Sequence, residues 1–191
     1  MTMITNETPS IKTIYFGGGC FWCVEAVFED VNGVIEVVSG YAGGEIKNPS
    51  YREVSSGITK HAEICKITYD SQKISLEQLL EIFFLTHDPT TLNRQGNDIG
   101  EHYRSIILFN NQIEADIIKE FIKYLNNDIF ENNIVTKTEL FRAFYKAEDY
   151  HQGYYKLNKD QPYCKMIISP KISKARKNLN HYYKNEYTKK K

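Results

Sequence analysis

Ile11-Lys12-Thr13-Ile14-Tyr15-Phe16-Gly17-Gly18-Gly19-Cys20-Phe21-Trp22-Cys23-Val24-Glu25-Ala26-Val27-Phe28-Glu29 is the stretch from which the fold can be read outward. Ile11 to Phe16 mixes β-branched and aromatic residues and reads as a short strand. Three glycines turn the chain, and Cys20 to Glu29, with Phe21, Val24, Ala26, Val27 and Phe28 apolar, suits a mostly buried helix. Cys20 then sits where a helix begins. Free backbone N–H groups and the positive end of the helix dipole favour thiolate over thiol there. Glycine also lets other chain segments or a ligand come close to the sulfur.

Val31-Asn32-Gly33 closes this unit, and Val34 to Tyr41 reads as a second strand. Ala42 to Gly57 is a polar loop, and His61 to Tyr69 alternates as a third strand. Ser75 opens a helix with a capping-box-like start that runs to about Thr86. Residues 87–103 form a loop long enough to be functional or disordered. A strand over Arg104 to Phe109, an amphipathic helix over Gln112 to Leu125 and a strand over Ile134 to Leu140 come next. Glu148 to Leu157 reads as a last helix before the loop Asn158 to Cys164. The order predicts a single α+β domain, a mixed sheet with helices packed mainly on one face.

The chain has 191 residues, enough for one domain with a proper core and short for two. With 24 basic and 24 acidic side chains, no long-range field gathers nucleic acid or an anionic membrane. Lys171, Lys174, Arg176, Lys177, Lys184 and Lys189 to Lys191 face one acid, Glu186, so the end reads as a solvated, partly disordered basic tail. No stretch approaches the roughly 18 apolar residues of a membrane helix. Met1 to Ser10 lacks the pattern of a secretory signal. A cytoplasmic monomer is expected.

Cys20, Cys23, Cys65 and Cys164 do not resemble a disulfide scaffold, so catalysis or metal binding is the better class of explanation. Cys20 and Cys23 spell C-x-x-C, which suits a thioredoxin-like dithiol or half of a zinc site. A zinc site needs about four ligands, and no second C-x-x-C or closely spaced His pair supplies them. The thioredoxin-like thiol–disulfide oxidoreductase stays open at this point.

Two further segments bear on the choice. Asn48-Pro49-Ser50-Tyr51, followed by Gly57-Ile58-Thr59-Lys60-His61-Ala62-Glu63, places an acid at the start of a strand among apolar neighbours. The other is Gly96-Asn97-Asp98-Ile99-Gly100-Glu101-His102-Tyr103-Arg104-Ser105. With Gly-Gly-Gly-Cys-Phe-Trp, these segments closely resemble peptide methionine sulfoxide reductase of the A class, over roughly residues 11–164. Residues 1–10 are then an N-terminal extension and 165–191 the basic tail. The resemblance implies a ferredoxin-like plait core, no metal and no bound organic cofactor, and reduction of methionine (S)-sulfoxide, free or in proteins. It places the nucleophile on Cys20, the acid on Glu63, and the tyrosines that hold the sulfoxide oxygen on Tyr51 and Tyr103. A supporting acid falls on Asp98, and the apolar cage for the substrate methyl group on Phe21 and Trp22.

The chemistry fits these residue types independently. A sulfoxide sulfur accepts a thiolate only if its oxygen is protonated or strongly hydrogen-bonded. A carboxylic acid in an apolar site keeps its proton for that purpose. Attack leaves Cys20 as a sulfenic acid, reversible if another thiol condenses with it. Cys164 resembles the family's recycling cysteine on a mobile C-terminal loop, with thioredoxin as the reductant of the resulting disulfide. Cys23 is the alternative resolving thiol. On a formed helix its i, i+3 spacing from Cys20 exceeds a disulfide's reach unless the first turn loosens.

Overall fold

The computed structural model describes residues 10–184. Its elements in chain order are β1 (Ile11–Gly17), α1 (Phe21–Phe28), β2 (Val34–Ala42), α2 (Tyr51–Ser55), β3 (Ala62–Asp70) and α3 (Leu76–Thr86). They continue as β4 (Arg94–Gln95), β5 (Asp98–Ile99), β6 (Ile106–Phe109), α4 (Gln112–Asp128), β7 (Lys137–Leu140), β8 (Phe144–Lys146), α5 (Tyr154–Leu157) and α6 (Ser169–Leu179). A six-stranded sheet has the order β7-β6-β1-β3-β2-β8, antiparallel except for the parallel pair β6–β7. It is an α+β fold with a mixed sheet, and β1 and β3 are at its centre.

The alternation of β1 explains the layers. Ile14 and Phe16 point to the helical side, where Phe16 stacks on Phe83 of α3 with ring centroids 4.6 Å apart. Tyr15 points to the other face, into a smaller cluster with Ala62, Ile64, Ile106 and Leu108. Phe141 and Phe144 cover that cluster, Phe141 stacking on Tyr15 at 4.1 Å.

Several boundaries differ from expectation. The polar loop 42–57 contains α2, which Ser50 and Glu53 start with a reciprocal capping box. The long loop 87–103 contains the β4–β5 hairpin and a 3-10 turn over Glu101–Tyr103. The strands expected from Arg104 and Ile134 begin at Ile106 and Lys137, and β8 adds an edge strand. The expected helix 148–157 is a 3-10 turn over Asp149–His151 and then α5, separated at Gly153, whose φ is 61°.

The largest difference lies after Cys164. Residues expected to be a solvated tail form a π-helical turn, Cys164–Ile168, and then α6. Ile168, Ala175 and Leu179 are buried in the main core, and Tyr183 bridges back to Val31. Lys174 and Lys177 of this helix are exposed while Ala175 and Leu179 pack, so the charge conspicuous in the sequence belongs in part to the outer side of an amphipathic helix. Residues 1–9 of the expected extension and 185–191 of the expected tail lie outside the described residues. Ile168→Ala should lower the unfolding free energy by about 2–5 kcal/mol, the cost of a large-to-small core change. Urea denaturation would measure it, and a loss under about 0.5 kcal/mol would return the segment to the surface.

Candidate active site

The glycine turn is built for close approach. A Cβ on Gly17 would lie 2.9 Å from the Glu63 carbonyl oxygen and 2.8 Å from Ile106 Cγ2. Gly19 has φ 92°, and a Cβ there would run into the Gln95 side chain at 2.6 Å. Cys20 is therefore delivered to the start of α1 as its N-cap, with ψ 127° rather than a helical value.

Cys20 makes no capping bond with its own side chain. The Phe21 N–H instead donates to Oε2 of Glu63, 3.0 Å away on β3. The carboxyl of Glu63 thus caps the helix from another element, and it also bonds the Cys20 thiol. Glu63 is only 2% exposed. Burial outweighs the bonds to it and raises its pKa to about 8, so it carries a proton at neutral pH.

Burial likewise raises the Cys20 thiol, helped by its hydrogen bond to Cys23 and the Glu63 charge. Cys23 moves the other way. The hydrogen bond from Cys20 lowers it to about 7 against the cost of burial, aided by the charge of Lys171 of α6. The two thiols share their protons as one unit, and neutral pH leaves one negative charge on it more readily than two.

Tyr51, the first residue of α2, and Tyr103 are hydrogen-bonded to each other, and Glu63 and Cys20 act on both. Burial raises both phenols, so each remains a neutral donor. The Tyr51 N–H donates to Glu148 Oε1 at 2.9 Å, while Glu148 Oε2 accepts from Tyr41 at 2.8 Å. Trp22 is half-buried. It stacks on Tyr154 at 3.6 Å and donates from Nε1 to His151 Nδ1 at 3.2 Å. Phe21 packs inward against His151 and Tyr41. Asp98, on β5, accepts a 2.8 Å bond from the Tyr163 hydroxyl.

The structure therefore gathers Cys20, Glu63, Tyr51 and Tyr103 in one place, with Asp98, Phe21, Trp22 and Cys23 around them. Cys164 is reduced and buried, and its thiol is raised by burial and by the nearby Cys23. It lies in the helical turn and not on a free loop. Cys65 packs beneath the site and donates to the Phe21 carbonyl at 3.3 Å. His151, Glu148 and Tyr163 were not singled out in the sequence. His151 and Glu148 stand in Glu148-Asp149-Tyr150-His151-Gln152-Gly153, a polar and aromatic run that was available as a signal. No group of three or more His, Cys, Asp or Glu side chains suited to a metal occurs among the described residues, and no helix there is long and apolar enough to cross a membrane.

Known proteins share the sequence and fold of this chain. Residues 12–184 match the family model for peptide methionine sulfoxide reductase. A peptide methionine sulfoxide reductase MsrA from Trichodesmium erythraeum is 56% identical over 168 residues, 87% of this chain and 95% of the relative. Methionine sulfoxide reductase A of Corynebacterium diphtheriae superposes with a TM-score of 0.75 at 34% identity, covering 79% of this chain and 76% of its own. Reduced Mxr1 from Saccharomyces cerevisiae gives 0.75 at 30% identity over 86% and 95% of the two chains, and Mxr1 has also been solved in complex with Trx2. A thioredoxin-like exchange protein would need neither the acid nor the paired phenols. The chain belongs to the peptide methionine sulfoxide reductase family, A class, and is an oxidoreductase that reduces methionine (S)-sulfoxide.

Proposed function

We propose that Cys20 attacks the sulfoxide sulfur while Glu63 gives its proton to the sulfoxide oxygen and Tyr51 and Tyr103 hold that oxygen. The observation that carries this is the buried Glu63 carboxyl, bonded to both the Cys20 thiol and the Phe21 N–H and protonated to about pH 8. The attack forms a bond between Cys20 Sγ and the substrate sulfur. The protonated oxygen then passes from the substrate sulfur to Cys20 Sγ as that S–S bond breaks, so the thioether leaves as methionine and Cys20 is left as a sulfenic acid. Trp22 offers the substrate methyl group an apolar face, with Phe21 behind it and Asp98 beside them.

Cys23 is the first thiol to reach the sulfenic acid, and Cys164 then exchanges with that disulfide. Three features favour this order. Cys20 is an N-cap outside the helical geometry, which relaxes the i, i+3 spacing that stands against a disulfide in a formed turn. The two sulfurs are already hydrogen-bonded, and Cys23 is the more acidic. Cys164 sits buried in a helical turn that must open before it can swing. Thioredoxin is the reductant we infer, with the Trx2 complex of the yeast neighbour in support. The domain core is read as a ferredoxin-like plait. In support, β6-β1-β3-β2 are neighbours in that order, with α1 after β1 and α3 between β3 and β6.

A mass map of the disulfide formed after one turnover, with methyl sulfoxide and no reductant, tests the order. The expected result is Cys20–Cys23 at early times and a bridge to Cys164 later. A Cys20–Cys164 bridge with no earlier Cys20–Cys23 species would reverse it.

A further inference from the structure

Tyr163 takes no part in the attack of Cys20 on the sulfoxide. Its hydroxyl is nonetheless 2.8 Å from Asp98 Oδ2, to which it donates, and 3.8 Å from Cys23 Sγ. Its ring meets Trp22 edge-on at 6.0 Å, so it closes the side of the site where Cys23 lies. A phenol has one proton to give and lone pairs to receive another. With its proton directed at Asp98, the Tyr163 oxygen turns a lone pair toward Cys23. When Cys23 carries the proton it shares with Cys20, as it does once Cys20 has attacked as the thiolate, the thiol can donate to the phenol and the phenol to the carboxylate.

That is the order of a proton relay. We propose that Tyr163 and Asp98 take the proton from Cys23 when it closes on the Cys20 sulfenic acid, Tyr163 as the group that receives it and Asp98 as the carboxylate that accepts the phenol's own proton in turn. The proposal rests on the reading of Cys23 as the first resolving thiol. As Cys23 Sγ attacks Cys20 Sγ, its proton passes to the Tyr163 oxygen and the Tyr163 proton passes to Asp98. The new S–S bond forms, the Cys20 S–O bond breaks, and the departing oxygen becomes water with the proton that Asp98 has received. Sulfenic acid plus thiol gives disulfide plus water, with no external oxidant or reductant.

Lys171 cannot take this role, although it faces the same thiol across a small cavity lined also by Gly18 and His87. An ammonium favours the thiolate by its charge but has no lone pair to accept a proton. The two neighbours of Cys23 therefore divide the work: Lys171 stabilises the anion and Tyr163 removes the proton.

The test uses the full chain carrying Cys164→Ser, so that Cys23 is the thiol left to resolve Cys20, with and without Tyr163→Phe. Rapid-quench single turnovers on methionine (S)-sulfoxide read methionine release and the Cys20–Cys23 disulfide separately, with dimedone trapping the sulfenic acid. Tyr163→Phe should slow the disulfide step at least tenfold more than methionine release, and sulfenic acid should accumulate. Adding Asp98→Asn should slow the disulfide step little further, because both groups serve one path. An unchanged disulfide step in Tyr163→Phe overturns the relay. An equal fall in both steps, with a lowered Tm, assigns Tyr163 to packing and overturns it too. If the protein with Tyr163 intact forms sulfenic acid but no Cys20–Cys23 disulfide, the order of thiols is wrong and the relay falls with it.

Discussion

Cys20→Ser should abolish sulfoxide reduction, a fall of roughly 10³-fold or more in kcat/KM with dithiothreitol as electron source. Acidity alone would suggest a different nucleophile. Of the two hydrogen-bonded thiols, Cys23 is lowered to about 7 and Cys20 is raised. Position decides against Cys23. The acid that must protonate the oxygen bonds Cys20, and the phenols that hold the oxygen interact with Cys20. A substrate oxygen placed among Glu63, Tyr51 and Tyr103 puts its sulfur within reach of Cys20. The shared proton moves between the sulfurs at little cost, so attack through the less acidic and more nucleophilic thiolate is open. Cys23→Ser should therefore still give about one equivalent of methionine per enzyme before stalling or falling back on Cys164. If Cys20→Ser retained turnover and Cys23→Ser lost the first equivalent, the roles of the two thiols would be exchanged.

Much of this site was legible because its chemistry is local. The passage from strand through glycine to helix specifies Cys20 as an N-cap, and Glu63 follows from an acid at the start of an apolar strand. What sequence could not show is that the two requirements meet in one bond. Only the register of β3 against β1, with Phe16 opposite Cys65, sets Glu63 beside the first turn of α1. The left-handed backbone at Gly19 is likewise explained by a residue far along the chain, Gln95, which lies where a side chain would go.

The parts that were misread depend on long-range packing. Residues 165–184 look like a tail because their charge is conspicuous and their apolar positions are sparse. Ile168, Ala175 and Leu179 nevertheless fall on one side of the helical segment and are buried in the main core, where α6 packs against α1 and α3. The same packing explains why Cys164 is not free. It opens the π-helical turn that leads into α6, so the swing expected of a loop cysteine requires local unfolding. The capping box of α2 was in plain sight at Ser50 and Glu53 but lacked an apolar run behind it to mark a helix. Glu148 explains why so short a helix is held, since it fixes the Tyr51 N–H from outside.

Glu63→Gln should lower kcat by about 10²- to 10⁴-fold, the range for removing a positioned general acid. The amide keeps the size of the side chain and can still accept from the Phe21 N–H at the start of α1, so the change should spare the fold. What disappears is the acidic proton. In the parent protein burial raises Glu63 to about 8, so the proton is present at pH 7 and is lost as the pH rises through that value. The sign follows: the parent rate falls on the alkaline side with a midpoint near 8, and the rate left in Glu63→Gln has no such limb from this group. Loss of that proton also places a negative charge beside Cys20 and raises the thiol further, so the alkaline fall removes acid and nucleophile together. Single-turnover methionine release between pH 6 and pH 10 would measure both effects. A Glu63→Gln protein within about threefold of the parent at pH 7 would remove Glu63 from the proton transfer and leave the paired phenols as the remaining donors to the oxygen.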